Sequence, residues 1–248
     1  MKIIKNSILY IFIFLSTINT NLYAEIQESL VQDPIVINGS DKALKHLMKG
    51  NKTFIKNWHK KERKKVAQTQ HPFAIILTCS DSRVSPEIIF HELHLGSLFI
   101  VRNAGNVADK TTIGSIEYGI EHLHASLIIV LGHERCGAVT AAVDSILQPQ
   151  PEASMNIKNI IDMITPAVNT TLESPAIKKM ISSQQSMTTI SEAIKISIIT
   201  ESIQENVKLT TRNLYQNSKI LATALDSKKI KIVGAYYDLD DGIVQIIN

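Results

Sequence analysis

The sequence predicts an α/β fold with a central, mostly parallel β-sheet flanked by helices. Three observations carry this. Residues 73–77, 98–101 and 127–131 are short apolar runs rich in β-branched residues, the pattern of strands buried on both faces. Stretches with apolar residues at three- and four-residue spacing lie between and around them, as helices require. Two polar motifs, Cys79-Ser80-Asp81-Ser82-Arg83 and His133-Glu134-Arg135-Cys136-Gly137, follow the first and third runs. Open α/β sheets place their ligands at such strand ends.

The elements follow in order. Residues 1–24 read as a secretory signal peptide. Lys2 and Lys5 form its basic start, Ile8 to Leu15 its apolar core, and Leu22-Tyr23-Ala24 its cleavage site. The apolar run is too short to span a bilayer, so the mature chain is expected to start near Glu25, exported to a bacterial periplasm. The competing reading is an uncleaved anchor. Residues 40–62 carry a helical pattern in Leu44, Leu47, Met48, Phe54, Ile55 and Trp58, with Ser40 and Asp41 as its N-cap and a kink or break at Gly50-Asn51. Ser85-Pro86-Glu87 starts a short helix. Residues 102–106 are expected as a loop, residues 112–124 and 138–147 as helices. Pro166 is expected to end a helix carrying Ile157, Ile160, Ile161 and Ile164. Residues 169–189, rich in Ser and Thr, read as a mobile loop or a poorly defined helix, and residues 191–218 as a long helix. Two final strands, 231–235 and 243–247, are joined through Asp240-Asp241-Gly242, a hairpin signal. No repeat or second domain is visible, so residues 25–248 read as one domain.

The 44% hydrophobic and 20% charged content suits one substantial core. Removing Lys2 and Lys5 lowers the formal charge from +3 to about +1, which makes no case for nucleic acid or for a membrane once the signal is cleaved. The basic run 60–65 has no interleaved aromatic residue for base stacking and reads as a solvated helix end.

Cys79 and Cys136 are the only cysteines, and in an oxidising compartment a disulfide between them is one reading. Their neighbours favour metal. With His133 they make a Cys/His/Cys set, one ligand short of a closed tetrahedron, as at catalytic rather than structural zinc sites. Two thiolates balance the charge of a divalent ion. Asp81, two residues after Cys79, either binds the metal or serves its water. A bidentate pair with Arg83 can hold it off the metal, leaving Asp81 a ligand only in a closed, water-free state; the competing reading is a plain surface salt bridge in a polar loop. His91-Glu92-Leu93-His94 lacks the spacing of a zinc-protease helix, and no phosphate-binding glycine motif or G-x-S-x-G elbow is present. His46, His59, His122 and His124 read as surface or packing residues.

Cys79-Ser80-Asp81-Ser82-Arg83-Val84, Arg102-Asn103-Ala104-Gly105-Asn106, Ile116-Glu117-Tyr118 and Gly132-His133-x-x-Cys136-Gly137 together resemble a β-class carbonic anhydrase. The match is densest between Gln70 and Val139. Leu47-Met48-Lys49-Gly50-Asn51-x-x-Phe54 resembles the projecting N-terminal helical region of bacterial members. The resemblance implies one Zn2+ per subunit on Cys79, His133 and Cys136, catalytic roles for Asp81 and Arg83, and reversible hydration of carbon dioxide to bicarbonate. It implies that Gln70 binds substrate through its amide, and that Phe99, Ala104, Tyr118 and Gly137 line an apolar pocket. Part of that lining crosses a dimer interface in the family, so a homodimer or higher homo-oligomer is implied. Ala104 replaces a commoner valine and widens the pocket. Ile76 stands where members with a bicarbonate-inhibition site carry tryptophan. The rival readings are the same fold hydrolysing a CO2 analogue such as carbon disulfide, and a non-catalytic zinc-stabilised binding protein.

Overall fold

The computed structural model describes residues 35–57, 60–148, 154–184 and 190–247. The signal-peptide expectation for residues 1–24, and Trp58 and His59, fall outside them. The chain divides into two compact units, 1–60 and 61–248. In the first, helix α1 (Ser40–Asn57) has an acidic residue, Asp41, in its first turn and runs through Gly50 without a break. An isolated glycine costs a helix only about 1 kcal/mol, which the neighbouring good helix formers absorb. Leu44, Leu47, Met48 and Ile55 of α1 are exposed. Helix α2 (Lys60–Val66) belongs to the second unit from Lys61 onward. Among the described residues no helix is long and apolar enough to cross a membrane.

The second unit is built on a five-stranded sheet of order β2-β1-β3-β4-β5. β1 (Ala74–Cys79), β2 (Leu98–Asn103), β3 (Leu127–His133) and β4 (Lys231–Tyr237) are parallel, and β5 (Val244–Ile247) returns antiparallel to β4. Every residue of β1 is buried. Ile75 and Leu77 face one core with Ile116, Val207 and Leu214, while Ala74 and Ile76 face another with Val84 and Leu131. Burial on both faces is why the strand reads as unbroken apolar sequence. The register sets Cys79 opposite Asn103 and Thr78 opposite Leu131. The buried Thr78 hydroxyl donates to the Leu131 carbonyl at 2.8 Å. The C-terminal ends of β1, β2 and β3 are therefore level.

Helices α3 (Pro86–Ile89), α4 (Lys110–Glu121) and α5 (Gly137–Leu147) match expectation closely, α4 starting two residues early because Asp109 caps it by accepting from the Thr112 N–H. β2 extends to Asn103, and Ala104–Asn106 forms one 3-10 turn where a plain loop was expected. Pro166 does not end its helix: α6 spans Met155–Glu173 with Pro166 inside. Proline there costs about 3 kcal/mol, offset by burying Ile164, Ala167 and Val168 on the same helix. The stretch from Asn169 is also more ordered than expected. It completes α6 and then forms α7 (Pro175–Ser182), capped by Ser174, which accepts from the Ile177 N–H; residues 185–189 lie outside the described residues. The expected long helix is α8 (Glu192–Gln216), and a separate helix α9 (Lys219–Asp226) starts at Ser218, another side-chain cap. The β4–β5 turn runs from Asp238 to Ile243, wider than a two-residue hairpin, with the Asp238 N–H donating to the Ile243 carbonyl.

Two strand glycines admit α8. A Cβ on Gly132 would stand 2.5 Å from Val207 Cγ2, and one on Gly234 2.9 Å from Val207 Cγ1. Gly132→Ala is expected to lower stability by about 1–3 kcal/mol in urea denaturation. Gly114→Ala, with nothing within 4 Å of the new atom and an exposed helical position, is expected to raise it by about 0.5–1 kcal/mol.

Candidate active site

β1 ends in Cys79, β3 ends in His133, and Cys136 is the N-cap of α5. The level strand ends and one short loop bring these three residues together, all buried, with their sulfur and nitrogen atoms within 4.8 Å of one another. The cysteines are free, with Sγ atoms 3.9 Å apart, well beyond bonding distance for a disulfide. The hydrogen bond from Cys136 pulls the Cys79 thiol down to about 4, and burial opposes that shift; Cys136, as donor, is pushed up. The Gly105 N–H also donates to Cys79 Sγ, at 3.4 Å.

His133 is fully buried. Its Nδ1 lies 2.8 Å from the Glu134 carbonyl oxygen. A carbonyl only accepts, so Nδ1 carries the proton and Nε2 keeps its lone pair. That Nε2 has no hydrogen-bond partner. A buried polar atom without a partner calls for one, and a lone pair facing two sulfurs suits a cation of N/S preference. The donor set fits zinc.

Asp81 and Arg83 form the fork expected of them. Nε donates to Oδ1 at 3.0 Å, Nη2 to Oδ2 at 2.7 Å, and the Arg83 backbone N–H adds a bond to Oδ1 at 2.9 Å. The Arg83 hydrogen bonds hold the Asp81 carboxyl far below the usual carboxylate range. Asp81 Oδ2 stands 3.9 Å from His133 Nε2, so the restrained carboxylate lies beside the Cys/His/Cys cluster. Arg83 Nη2 also reaches the Arg135 carbonyl at 3.4 Å.

Several supporting residues were not singled out from the sequence. Arg102 donates to the Cys79 carbonyl at 3.1 Å and the Asp81 carbonyl at 2.7 Å. Asn206, far along the chain on α8, donates to the Gly105 carbonyl at 2.8 Å. Arg135, with a left-handed φ of 52°, is clamped by Asp240 through bonds of 2.9 and 2.6 Å. The second carboxylate group, Glu134, Asp238 and Asp240, is occupied by this arginine and by the Leu239 N–H on Glu134. Arg102 sits in a motif that was visible; the Asn206 contact leaves no local signal.

The expected pocket residues are distributed less tightly. Phe99 is half-buried on β2, and its ring centroid lies 6.4 Å from that of the 48% exposed Tyr118. Ala104 is half-buried in the 3-10 turn, and Gly137 is exposed at the start of α5. Gln70 is exposed ahead of β1, and no hydrogen bond joins it to the Cys79 loop among the described residues.

A family model described as carbonic anhydrase matches residues 74–244. The carbonic anhydrase of Mycolicibacterium smegmatis is 32% identical over 74% of this chain and 79% of its own length. Carbonic anhydrase 2 of Mycobacterium tuberculosis is 32% identical over 81% of this chain and 89% of its own. The fold is shared with β-carbonic anhydrases, among them a structure from Sordaria macrospora described as tetrameric, with a TM-score of 0.66 at 19% identity, covering 84% of this chain and 98% of that one. With sequence, fold and cluster in agreement, the chain belongs to the carbonic anhydrase family, in its β class.

Proposed function

We propose that this enzyme converts carbon dioxide and water reversibly to bicarbonate and a proton, using one zinc ion per subunit held by Cys79, His133 and Cys136. The observation that carries the zinc reading is the buried, unpartnered His133 Nε2 facing two sulfurs beside a restrained carboxylate. Cys79, His133 and Cys136 would hold the ion, and its chemistry there would be to make a water nucleophilic near neutral pH. Arg83 occupies both Asp81 oxygens and so keeps the carboxylate from serving as a fourth ligand. Asp81 stays ionised at neutral pH because its folded-state value is depressed. It therefore acts as a hydrogen-bond acceptor that orients the nucleophile and not as a proton store. By linkage, a depressed carboxyl contributes stability at pH above its unfolded value of about 3.9 and loses it only as pH falls through the folded value. Phe99, Ala104, Tyr118 and Gly137 form the apolar wall that holds a non-polar substrate and excludes competing water, and the Gln70 amide donates to a substrate oxygen. The released proton leaves to solvent.

We infer further that the working unit is a homodimer or a larger homo-oligomer. β2 is an edge strand, and Phe99 and Tyr118 beside it stay partly open in a single chain, so a second copy is needed to close the wall. Export to the periplasm is proposed from the basic start, short apolar core and cleavage site of residues 1–24.

Purified mature protein is expected to hold about one zinc per subunit by elemental analysis. Cys136→Ser is expected to release it and to reduce stopped-flow CO2 hydration to background. Activity persisting in metal-free protein overturns the zinc reading. Arg83→Ala is expected to free Asp81 to bind the metal, cutting turnover by about 100-fold or more with zinc retained and added anions excluded. Asp81→Ala is expected to lower activity while anions still bind. Zinc X-ray absorption with a heavy anion separates the two, and equal anion entry in both variants refutes the restraint. N-terminal sequencing of periplasmic material is expected to begin near Glu25, and an intact Met1 end in the membrane fraction rules out cleavage.

A further inference from the structure

We propose that Asn206 is a positioning residue for the metal site: its buried amide holds the Gly105 turn so that the Gly105 N–H points at the Cys79 sulfur. The inference rests on the zinc reading above and concerns what keeps one ligand in place.

Asn206 sits in the middle of α8 with 1% of its surface exposed, beside the core residues Ile203 and Val207 on the same helix. Asparagine is a modest helix former, and burying an amide is unfavourable unless it is hydrogen-bonded. An apolar residue of the same size satisfies the core better, so the amide has a specific task. Its Nδ2 donates to the Gly105 carbonyl at 2.8 Å across 101 residues of sequence. The partner is a carbonyl, so the NH2 side of the amide must face it.

Gly105 links that contact to the cluster. It is buried in a left-handed conformation, φ 76°, within the Ala104–Asn106 turn, and its own N–H donates to Cys79 Sγ at 3.4 Å. One residue is thus held at its carbonyl by Asn206 while its amide serves the sulfur. Gly105 has no side chain with which to anchor itself, and none fits: a Cβ would meet Ile164 Cδ1 at 2.7 Å and Ala138 Cβ at 3.1 Å. Asn103 brackets the turn, donating to the Val107 carbonyl and accepting from the Val107 N–H, each at 2.8 Å, and the Gly105 carbonyl within it is left to Asn206.

α8 is a rigid source for it. Val207, the next residue, packs into the gaps left by Gly132 and Gly234, and Gly132 directly precedes His133. The helix is therefore indexed against the strand that delivers another member of the cluster. Asn206 ties the Cys79 environment to the same frame. Hydrogen bonds to a ligand orient it and tune its donation, and their loss typically weakens metal binding about 10–100-fold.

The test uses the full mature protein loaded with zinc or with cobalt(II). Asn206→Leu and Asn206→Ser are expected to release zinc to a chelator about 10–100-fold faster than wild type and to shift the sulfur-to-cobalt charge-transfer band. Ser202→Ala, one turn earlier on α8 and equally buried, is expected to leave both readouts at wild-type values. The serine variant leaves room for a water beside Gly105, so it decides the outcome if the leucine variant does not fold. Wild-type release rates and spectra in the Asn206 variants, or equal changes in Ser202→Ala, overturn the inference alone. A wild-type protein that binds neither metal overturns the zinc reading and this inference with it.

Discussion

The close approach of α8 to the sheet is the constraint on which the second unit depends. Val207 reaches into space that a side chain on either Gly132 or Gly234 would fill. Contacts at that range lose a large share of their dispersion energy when opened by less than an ångström. The same helix contributes Ile198 and Ile203 to the core that contains Cys79 and Cys136, together with Val139 of α5 and Ile164 of α6. Displacing α8 therefore disturbs the helical layer around the cluster as well as the sheet beneath it.

Electrostatics does a different job from packing here. Arg83, Arg102 and Arg135 are all exposed, and ion pairs in such positions are worth about 0–1 kcal/mol each. Their effect is geometric. Arg102 binds two carbonyls of the β1 loop, Arg83 joins that loop to the Arg135 carbonyl, and Arg135 is tied to Asp240 in the β4–β5 turn. Three loops that meet at the strand ends are laced together by planar, multi-donor groups, for which lysine is no substitute. His133 lies at the opposite extreme. Its unpartnered nitrogen in a fully buried ring carries a desolvation cost of about 1–3 kcal/mol, which a bound cation relieves. The site spends stability that the surrounding core supplies.

The sequence by itself determined the strand positions, the strand-end location of Cys79, Asp81, Arg83, His133 and Cys136, and the chemical character of that set. These features are local. Burial on both faces writes itself as a continuous apolar run, and ligands on short loops are near one another in sequence or at the ends of adjacent strands. Helix limits were legible only in part. Pro166 was a sound stop signal by local rules, yet tertiary burial of the same helix outweighed it. Ser174 and Ser218 start helices, but their capping hydroxyls look like ordinary loop serines until the chain is folded. Only the tertiary structure decided that Gly105 would be held by Asn206 and that α8 would sit over Gly132 and Gly234. The reason is physical: each depends on sheet register and on helix packing between elements distant in sequence, and no local preference of the chain encodes a contact at that separation.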